Sequence, residues 1–250
     1  MNMILLEMKN IKKNFGAVQA LKGVDFQIEE GEVVGLLGDN GAGKSTLVKI
    51  ISGYYHQDDG IIYWQGKEMH CRTPAESRQM GIEVVYQDLA LVNLLPVWRN
   101  FFLGREMIKK SLFKFLDKKQ MINISKMALQ GLGIEIPDVN SAVAFLSGGQ
   151  RQTIAVGRGV YFGAKLLVLD EPTAAVSLRE VEAILKMIEE VSKKGISVIF
   201  IAHNIYHVHR VANRFVILEQ GTKIADVKKS DGYSAEDIMN IMLESKKMKE

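Results

Sequence analysis

The chain is poor in cysteine and proline, and it contains no long run of apolar residues. Its 250 residues include one cysteine, Cys71, and 4 prolines. A single cysteine excludes an internal disulfide framework and suits a reducing compartment. No stretch approaches the roughly 20 consecutive apolar residues that a membrane-spanning helix needs. Residues 1–7 lack the basic start and long apolar centre of a signal peptide, so we expect no secretion signal.

An excess of charge of one sign is also lacking. The 32 Lys and Arg residues nearly balance the 29 Asp and Glu residues, which leaves a net charge of +3 at pH 7. This balance gives no reason to expect a nucleic-acid partner. Hydrophobic residues make up 47% and charged residues 24%, as in an ordinary globular protein that buries a full core.

A glycine-rich stretch over residues 38–46 matches the phosphate-binding loop pattern. The apolar run before it predicts a buried strand, and the apolar pattern after it predicts a helix. The glycines let successive backbone N–H groups point at one anion, and the helix dipole adds positive potential. Lys44 is expected to reach the β- and γ-phosphates, and the Ser45 hydroxyl to hold Mg²⁺. The candidate nucleotide-binding residues are Gly38, Asn40, Gly41, Ala42, Gly43, Lys44, Ser45 and Thr46.

Two carboxylates follow a second apolar run. Residues 166–169 are continuously apolar, and Asp170 and Glu171 come directly after them. Such a run is typical of a parallel-sheet strand that delivers its acids at the C-terminal end. We predict that Asp170 holds Mg²⁺, directly or through water. Glu171 is predicted to orient or deprotonate the water that attacks the phosphate.

His203 ends a further strand, predicted over residues 196–203. Two interpretations are open: the ring contacts the γ-phosphate, or it is a histidine with satisfied hydrogen bonds at a strand end. His203, His207 and His209 suggest a metal site, because His203 and His207 stand at positions i and i+4, which share a helix face. No cysteine or nearby carboxylate completes such a site, so we expect no metal there.

A second helix start with glycines lies at residues 147–150, before a helical pattern that extends to Tyr161. It predicts a second helix N-terminus able to bind an anion. One chain is not expected to direct two such termini at one phosphate group. We therefore expect this stretch to contact a nucleotide held by another copy of the chain, through Ser147, Gly148, Gly149 and Gln150.

Two apolar features each allow two interpretations. Phe15 either stacks on an adenine ring or packs as a core aromatic beside Gly16. Gln87 begins an apolar run that follows neither the helix nor the strand period. We expect this run to contact a partner through Trp98 and the leucines beside Pro96, and a buried loop is the alternative.

The remaining pattern predicts an α/β protein. Short strands over residues 1–32 and 61–64 predict a small antiparallel sheet, and residues 99–145 are predicted to be helical and polar. We expect a single domain over residues 1–250. It would combine a parallel-sheet nucleotide core, an antiparallel β-subdomain at one edge, and a helical subdomain over about residues 88–155.

Taken in order, these motifs resemble the ATP-binding subunits of ABC transporters, a family of P-loop NTPases. The match covers nearly the whole chain, and the Ser-Gly-Gly-Gln signature is far more specific than the phosphate loop. The resemblance implies that Phe15 stacks on adenine and that Gln87 senses Mg²⁺ and the membrane partner. It also implies that the signature closes on the ATP of the opposite subunit. The implied catalytic residues are Lys44, Gln87, Glu171 and His203, and the implied Mg²⁺ residues are Ser45, Gln87 and Asp170.

Within the family, residues 85–91, 102–106 and 171–177 most resemble carbohydrate importers of the ribose, xylose and fructose type. The resemblance implies an ATPase that drives import of a simple sugar through membrane permeases, from the cytoplasmic face of the membrane. Many relatives carry two ATPase domains, so one domain implies a homodimer, and an extracytoplasmic sugar-binding protein takes part indirectly. The alternatives are another cargo, or a family member that acts on ribosomes or DNA.

The chain departs from the family pattern at two positions. Most ABC proteins have Asp where Ser177 stands, and an arginine is common where Thr153 stands. Serine still forms hydrogen bonds across an interface but brings no charge. This departure therefore bears on the communication between the two ATP sites and not on the chemistry.

Overall fold

The computed structural model describes residues 3–109, 114–132, 136–174 and 176–247, with side chains up to residue 245. These residues form ten β-strands and eight α-helices. The strands are β1 (Ile4–Phe15), β2 (Val18–Glu29), β3 (Val33–Leu37), β4 (Asp59–Trp64), β5 (Lys67–Glu68), β6 (Ile82–Val85), β7 (Leu166–Asp170), β8 (Ser197–Ile201), β9 (Arg214–Glu219) and β10 (Thr222–Lys228). The helices are α1 (Lys44–Ile51), α2 (Pro74–Gln79), α3 (Val97–Phe101), α4 (Lys118–Gln130), α5 (Gly148–Tyr161), α6 (Leu178–Lys193), α7 (Ile205–Val211) and α8 (Ala235–Lys247).

A six-stranded sheet in the order β10-β9-β3-β8-β7-β6 forms the centre of the molecule. All neighbours from β9 to β6 are parallel, and only β10 pairs antiparallel with β9 at the edge. Strands β3 and β8 are buried at every position because both faces of the sheet are covered. Since parallel strands point the same way, the C-terminal ends of β3, β8 and β7 meet at one edge.

The second sheet is antiparallel, in the order β2-β1-β4-β5. Together with α1 it covers one face of the parallel sheet, and Val34 and Leu36 of β3 lie in this core. Helices α6, α7 and α8 cover the other face, where Val33 and Leu37 pack. The predicted α/β class, with a parallel core and a separate antiparallel sheet, is confirmed.

A third hydrophobic core joins α3, α4 and the N-terminal half of α5. The prediction that residues 99–145 are helical holds only in part, for α3, α4 and one short turn in the described residues. Helix α3 ends at Phe101, and an isolated bridge pairs Ile108 with Leu116 before α4 begins. The stretch holds one further short turn of 3₁₀-helix, Val143–Phe145. Two short segments of the predicted helix, residues 110–113 and 133–135, lie outside the described residues.

The apolar run after Gln87 is a loop fixed by one buried amide side chain. Asn100 accepts a hydrogen bond from the Val92 N–H at 2.7 Å and donates to the Leu95 carbonyl oxygen at 3.1 Å. Trp98 is 7% exposed, whereas Leu94 is 86% exposed. The proposed anchoring role of Trp98 is therefore wrong, because α3 turns this ring into the third core.

Across the described ranges, the helices are all too short or too polar to span a bilayer.

Gly35 in β3 provides a test of the packing between the central sheet and α7. A Cβ at this position would collide with Cγ1 of the stiff Val208 side chain and lie 3.2 Å from Phe215 Cδ1. We expect Gly35→Ala to lower the free energy of unfolding by about 2 kcal/mol through overpacking. Urea denaturation measures the effect.

Val208→Ala serves as the matched control, because it removes the methyl group that the new Cβ meets. Alone it leaves a cavity, and we expect a loss of about 1–2 kcal/mol. The double variant should lose less than the sum of the two single losses, since the two side chains are in contact. Strictly additive losses would show that the collision is not the cause.

Candidate functional site

The glycine-rich loop leaves β3 and leads directly into α1. Gly38 has φ +142°, and a Cβ there would collide with the Leu218 carbonyl oxygen. Gly43 has φ +106°, and its Cβ would lie 2.9 Å from the Ala20 carbonyl oxygen. Both positions therefore require glycine for backbone conformation and for space. The loop is held between β9 and the β1–β2 hairpin, which fixes its backbone N–H groups at the start of α1.

The loop lines a cavity of about 590 Å³ at the C-terminal edge of the parallel sheet. Residues 39–46 form one wall, and Asp170 and Glu171 lie on another. The hairpin contributes residues 18–20. Because β8 separates β3 from β7 in the sheet, the loop and the two acids face each other across one strand. The structure thus brings the phosphate loop and the two acids together at this edge.

Lys44 brings a buried positive charge to the wall of this cavity. Its side chain is buried, and Nζ donates hydrogen bonds to the Gly38 carbonyl oxygen at 2.6 Å and the Asp39 carbonyl oxygen at 2.9 Å. Burial lowers the pKa of Lys44, and the carboxylates of Glu171 and Asp170 act in the opposite direction. An ammonium group held by two neutral carbonyls in the curve of the loop is suited to receive phosphate oxygens.

Asp170 is the last residue of β7, and Glu171 follows it directly. Burial and the neighbouring Glu171 carboxylate raise the pKa of Asp170, and the Lys44 ammonium partly offsets them. Glu171 has φ +54°, in the left-handed region that costs a residue with a Cβ about 1–2 kcal/mol. The Glu171 N–H donates to the Ile201 carbonyl oxygen of β8 at 2.9 Å, which holds this conformation. Strain of this kind is concentrated at functional sites.

His203 contacts Glu171. It lies just beyond β8, and its Nε2 is 2.8 Å from Glu171 Oε1. The His203 side chain is 55% exposed, so its ring is not enclosed in a core. The structure therefore adds a feature that neither interpretation of His203 included: a direct contact with Glu171, the candidate base. His207 points elsewhere, because its Nδ1 lies 3.3 Å from the Thr173 hydroxyl.

The Ser-Gly-Gly-Gln stretch forms the N-terminus of α5. The Ser147 N–H donates to Gln150 Oε1 at 3.1 Å, and the Gln150 N–H donates to Ser147 Oγ at 3.3 Å, which is a capping box. These residues do not line the cavity of the phosphate loop. Within one copy of the chain the two helix N-termini therefore face different spaces.

Gln87 and Phe15 both lie beside the loop cavity and not in its wall. Gln87 lines a neighbouring cavity of about 350 Å³ together with Gly148 and Glu171, so Glu171 faces both spaces. Phe15 is 41% exposed and makes an edge-to-face contact with Tyr55 at 5.1 Å. It is not a core aromatic, and it pairs in the hairpin with Val18, which does line the loop cavity.

The oxygen donors at this edge suit Mg²⁺ bound through substrate phosphates. Among the residues with described side chains, no group of three or more His, Cys, Asp or Glu could form a complete metal cage. Mg²⁺ is usually held by one or two protein oxygens together with phosphates and water. The Ser45 hydroxyl and the Asp170 carboxylate can supply the protein oxygens. The carboxyl of Asp170 is half-buried and has a raised pKa, and a cation stabilises the charged form of such a group.

The sequence interpretation missed Glu180. Its Oε1 accepts a hydrogen bond from the Gly149 N–H at 3.0 Å, and its Oε2 accepts from the Ser177 N–H at 2.8 Å. The Ser-x-x-Glu spacing of a capping box was the available signal for the second contact. The contact with Gly149 joins residues 31 apart, and no local pattern predicts it. Ala175, within the stretch 171–177 that resembles sugar importers, lies outside the described residues.

Comparison with known proteins identifies relatives over the whole chain. The family model described as ABC transporter matches residues 21–174. The chain is 49% identical over 238 residues to a xylose/arabinose import ATP-binding protein of Sulfolobus acidocaldarius, which covers 95% of this chain and 93% of that protein. It is 40% identical over 247 residues to a fructose import ATP-binding protein of Rhizobium meliloti, covering 97% and 95%.

Some relatives are longer, and solved structures share the fold. A ribose import ATP-binding protein of Caldanaerobacter subterraneus is 36% identical over 96% of this chain, but the match spans 47% of that protein. The crystal structure of MJ1267, an ATP-binding cassette of an ABC transporter in its ADP conformation, superimposes with a TM-score of 0.82 at 28% identity. It covers 98% of this chain and 96% of that one.

Two glycine substitutions test whether the observed loop conformation binds a nucleotide. Gly43→Ala combines a left-handed φ with contacts at 2.8 Å to Leu21 Cδ2 and 2.9 Å to the Ala20 oxygen, so the loop must shift. We expect the Kd for ATP, measured by titration calorimetry, to rise by about tenfold or more. Gly41→Ala is the matched control, because its φ is +80° but nothing lies within 4 Å of the new Cβ. Its Kd should rise by only a few-fold, and equal losses would mean that crowding around the loop is irrelevant.

Proposed function

This chain belongs to the ABC transporter family, and on that premise we propose that it is the ATP-hydrolysing subunit that energises import of a simple sugar through membrane permeases. The observation that carries this proposal is the meeting of the phosphate loop, Asp170, Glu171 and His203 at one edge of the parallel sheet. The sugar is inferred from relatives named as xylose/arabinose and fructose import ATP-binding proteins, which match over nearly their full length.

The phosphate loop binds the triphosphate. Backbone N–H groups of residues 38–46 and the Lys44 ammonium neutralise the phosphate charge, with the helix dipole of α1 behind them. Ser45 and Asp170, with Gln87 from the neighbouring cavity, would hold Mg²⁺, which supplies further neutralisation of charge on the transferred phosphoryl group. Phe15 stacks on the adenine from the turn end of the β1–β2 hairpin, beside Val18.

Glu171 acts as the general base. Its carboxylate accepts a proton from the water that attacks the γ-phosphate, and its strained backbone directs the side chain out of the sheet edge. His203 lies 2.8 Å from Oε1, so an N–H at Nε2 leaves Oε2 open toward the water. We also assign the half-exposed imidazole of His203 to contact with the γ-phosphate.

A second copy of the chain completes each ATP site. Within one copy, the N-terminus of α5 does not face the loop cavity. We assign Ser147, Gly148, Gly149 and Gln150 to the ATP held by the opposite copy, so that two ATP molecules lie between two chains. Binding closes this homodimer, and hydrolysis opens it again.

The loop after Gln87 is our candidate contact with the permease. Leu94 is 86% exposed and Val92 is 44% exposed, on a loop that Asn100 holds in place. Gln87 itself faces a cavity shared with Glu171, so a displacement of this loop reaches the catalytic carboxylate. This loop belongs to the proposed helical subdomain over about residues 88–155. The subunit would then work at the cytoplasmic face of the membrane. An extracytoplasmic sugar-binding protein would act through the permease.

Glu171→Gln separates nucleotide binding from hydrolysis. The amide keeps the shape of the side chain but accepts no proton, so we expect ATP turnover to fall by about 100-fold or more. Binding of ATP should persist, and a closed dimer should accumulate in sedimentation measurements. The control is Glu244→Gln, an exposed position on α8, which should turn over ATP normally. Full turnover by the Glu171 variant would reject the assigned base.

Leu94→Asp tests the permease contact. We expect a tagged wild-type chain to co-purify with a polytopic permease from membranes, and the variant to lose it, because a charge enters an apolar contact. ATP hydrolysis by the isolated subunit should not change. Met127→Asp is the matched control, since Met127 is 71% exposed on α4 and should retain the permease. Recovery of ribosomes or DNA instead of a permease would overturn the transport assignment.

A further inference from the structure

A carboxylate of the same chain lies at the N-terminus of α5. Glu180 Oε1 accepts a hydrogen bond from the Gly149 N–H at 3.0 Å. Its other oxygen, Oε2, accepts from the Ser177 N–H at 2.8 Å and from the Ser177 hydroxyl at 2.7 Å. Glu180 therefore bridges the start of its own helix, α6, and the start of α5.

The charge of Glu180 is strongly favoured in this position. Hydrogen bonds from the Ser147 side chain, the Gly149 N–H and Ser177 lower the pKa of the Glu180 carboxyl to about 2. The carboxylate is therefore ionised at neutral pH. An anion that accepts hydrogen bonds from a serine hydroxyl and a glycine N–H at a helix N-terminus resembles a phosphate oxygen in charge and in partners.

A phosphate oxygen and Glu180 cannot use these donors together. A Cβ built on Gly149 would lie 3.0 Å from both Cβ and Cγ of Glu180, so the Glu180 side chain lies directly against the Gly149 backbone. The Gly149 N–H offers one hydrogen, which Glu180 already accepts. Two like charges at hydrogen-bond distance from one donor also repel each other strongly.

We propose that Glu180 is an internal competitor of the nucleotide: it occupies the α5 N-terminus in the open subunit, and the γ-phosphate held by the opposite copy must displace it when the dimer closes. This inference rests on the proposed ATP-driven homodimer. Displacement does not strip Glu180 of partners, because the two hydrogen bonds from Ser177 belong to the cap of α6 and persist. Glu180 thereby raises the ATP concentration that closure requires.

The test is made in the Glu171→Gln background, where closed dimers accumulate. The measured quantity is the ATP concentration at half-maximal dimer formation, from sedimentation velocity. Adding Glu180→Gln keeps the size of the side chain and removes its charge. We expect the midpoint to fall by about fivefold, because closure no longer breaks a charge-assisted hydrogen bond. Binding of ATP to the phosphate loop of the monomer should not change, since Glu180 does not line that cavity.

Glu182→Gln is the matched control for charge. It makes the same change in the first turns of α6, but Glu182 pairs with Arg210 and not with α5. Its midpoint should equal that of the background. If Glu180 were only a structural cap, Glu180→Gln would weaken the start of α6 and lower the Tm. The ATP midpoint would then stay unchanged or rise, and it would not fall.

The outcomes separate this inference from the proposed function. If the Glu171→Gln protein forms no dimer at any ATP concentration, the ATP-driven homodimer itself is refuted. If it does form dimers, and Glu180→Gln leaves the midpoint where it was, only the competitor role of Glu180 is refuted. A lower midpoint with an unchanged Glu182 control supports it.

Discussion

The parallel pairing of β3, β8 and β7 is the constraint on which the site depends. Each strand carries a different part of the site at its C-terminal end. The phosphate loop follows β3, His203 follows β8, and Asp170 and Glu171 lie at the end of β7. These elements are far apart in sequence, yet parallel pairing brings them to one edge. Burial of both faces of the sheet fixes the register, since a slip of one residue would exchange the two cores.

Electrostatics at this edge explains why the arrangement suits a magnesium nucleotide. Burial acts on both signs of charge: it lowers the pKa of Lys44 and raises that of Asp170. Each group is therefore held in a place where its charge is costly, and each gains from a partner of opposite sign. In the proposed function, triphosphate oxygens would be the partner of Lys44, and a divalent cation would be the partner of Asp170. The Glu171 carboxylate belongs to the same set of charges, since it raises the pKa of both groups, and the neighbouring strand maintains its strained backbone.

Local patterns predicted the parts of the molecule that local physics determines. The phosphate loop, the strand that delivers Asp170, and the start of α5 follow from glycine placement, apolar runs and capping residues, and the fold class follows from their order. Trp98 was misjudged because its burial depends on how α3 turns into the third core. The helical prediction over residues 99–145, which holds only in part, shows the same limit, since a polar stretch with helical composition carries no signal for the Ile108–Leu116 bridge. The roles of the site residues stay predictions.

Ser177 takes on a different meaning once Glu180 is included. As an isolated departure from the family pattern, a serine removes a charge from the interface. In the structure it completes a capping box, and its N–H and hydroxyl both hold Glu180 Oε2. The negative charge is thus present, but it lies three residues later and faces α5 of its own chain. A charge held there bears on the opposite nucleotide only when that nucleotide arrives, because only then do two anions meet at the Gly149 N–H. Glu171, the proposed base, precedes Ser177 by six residues in the same chain, so in the proposed dimer one short segment of sequence links the two ATP sites.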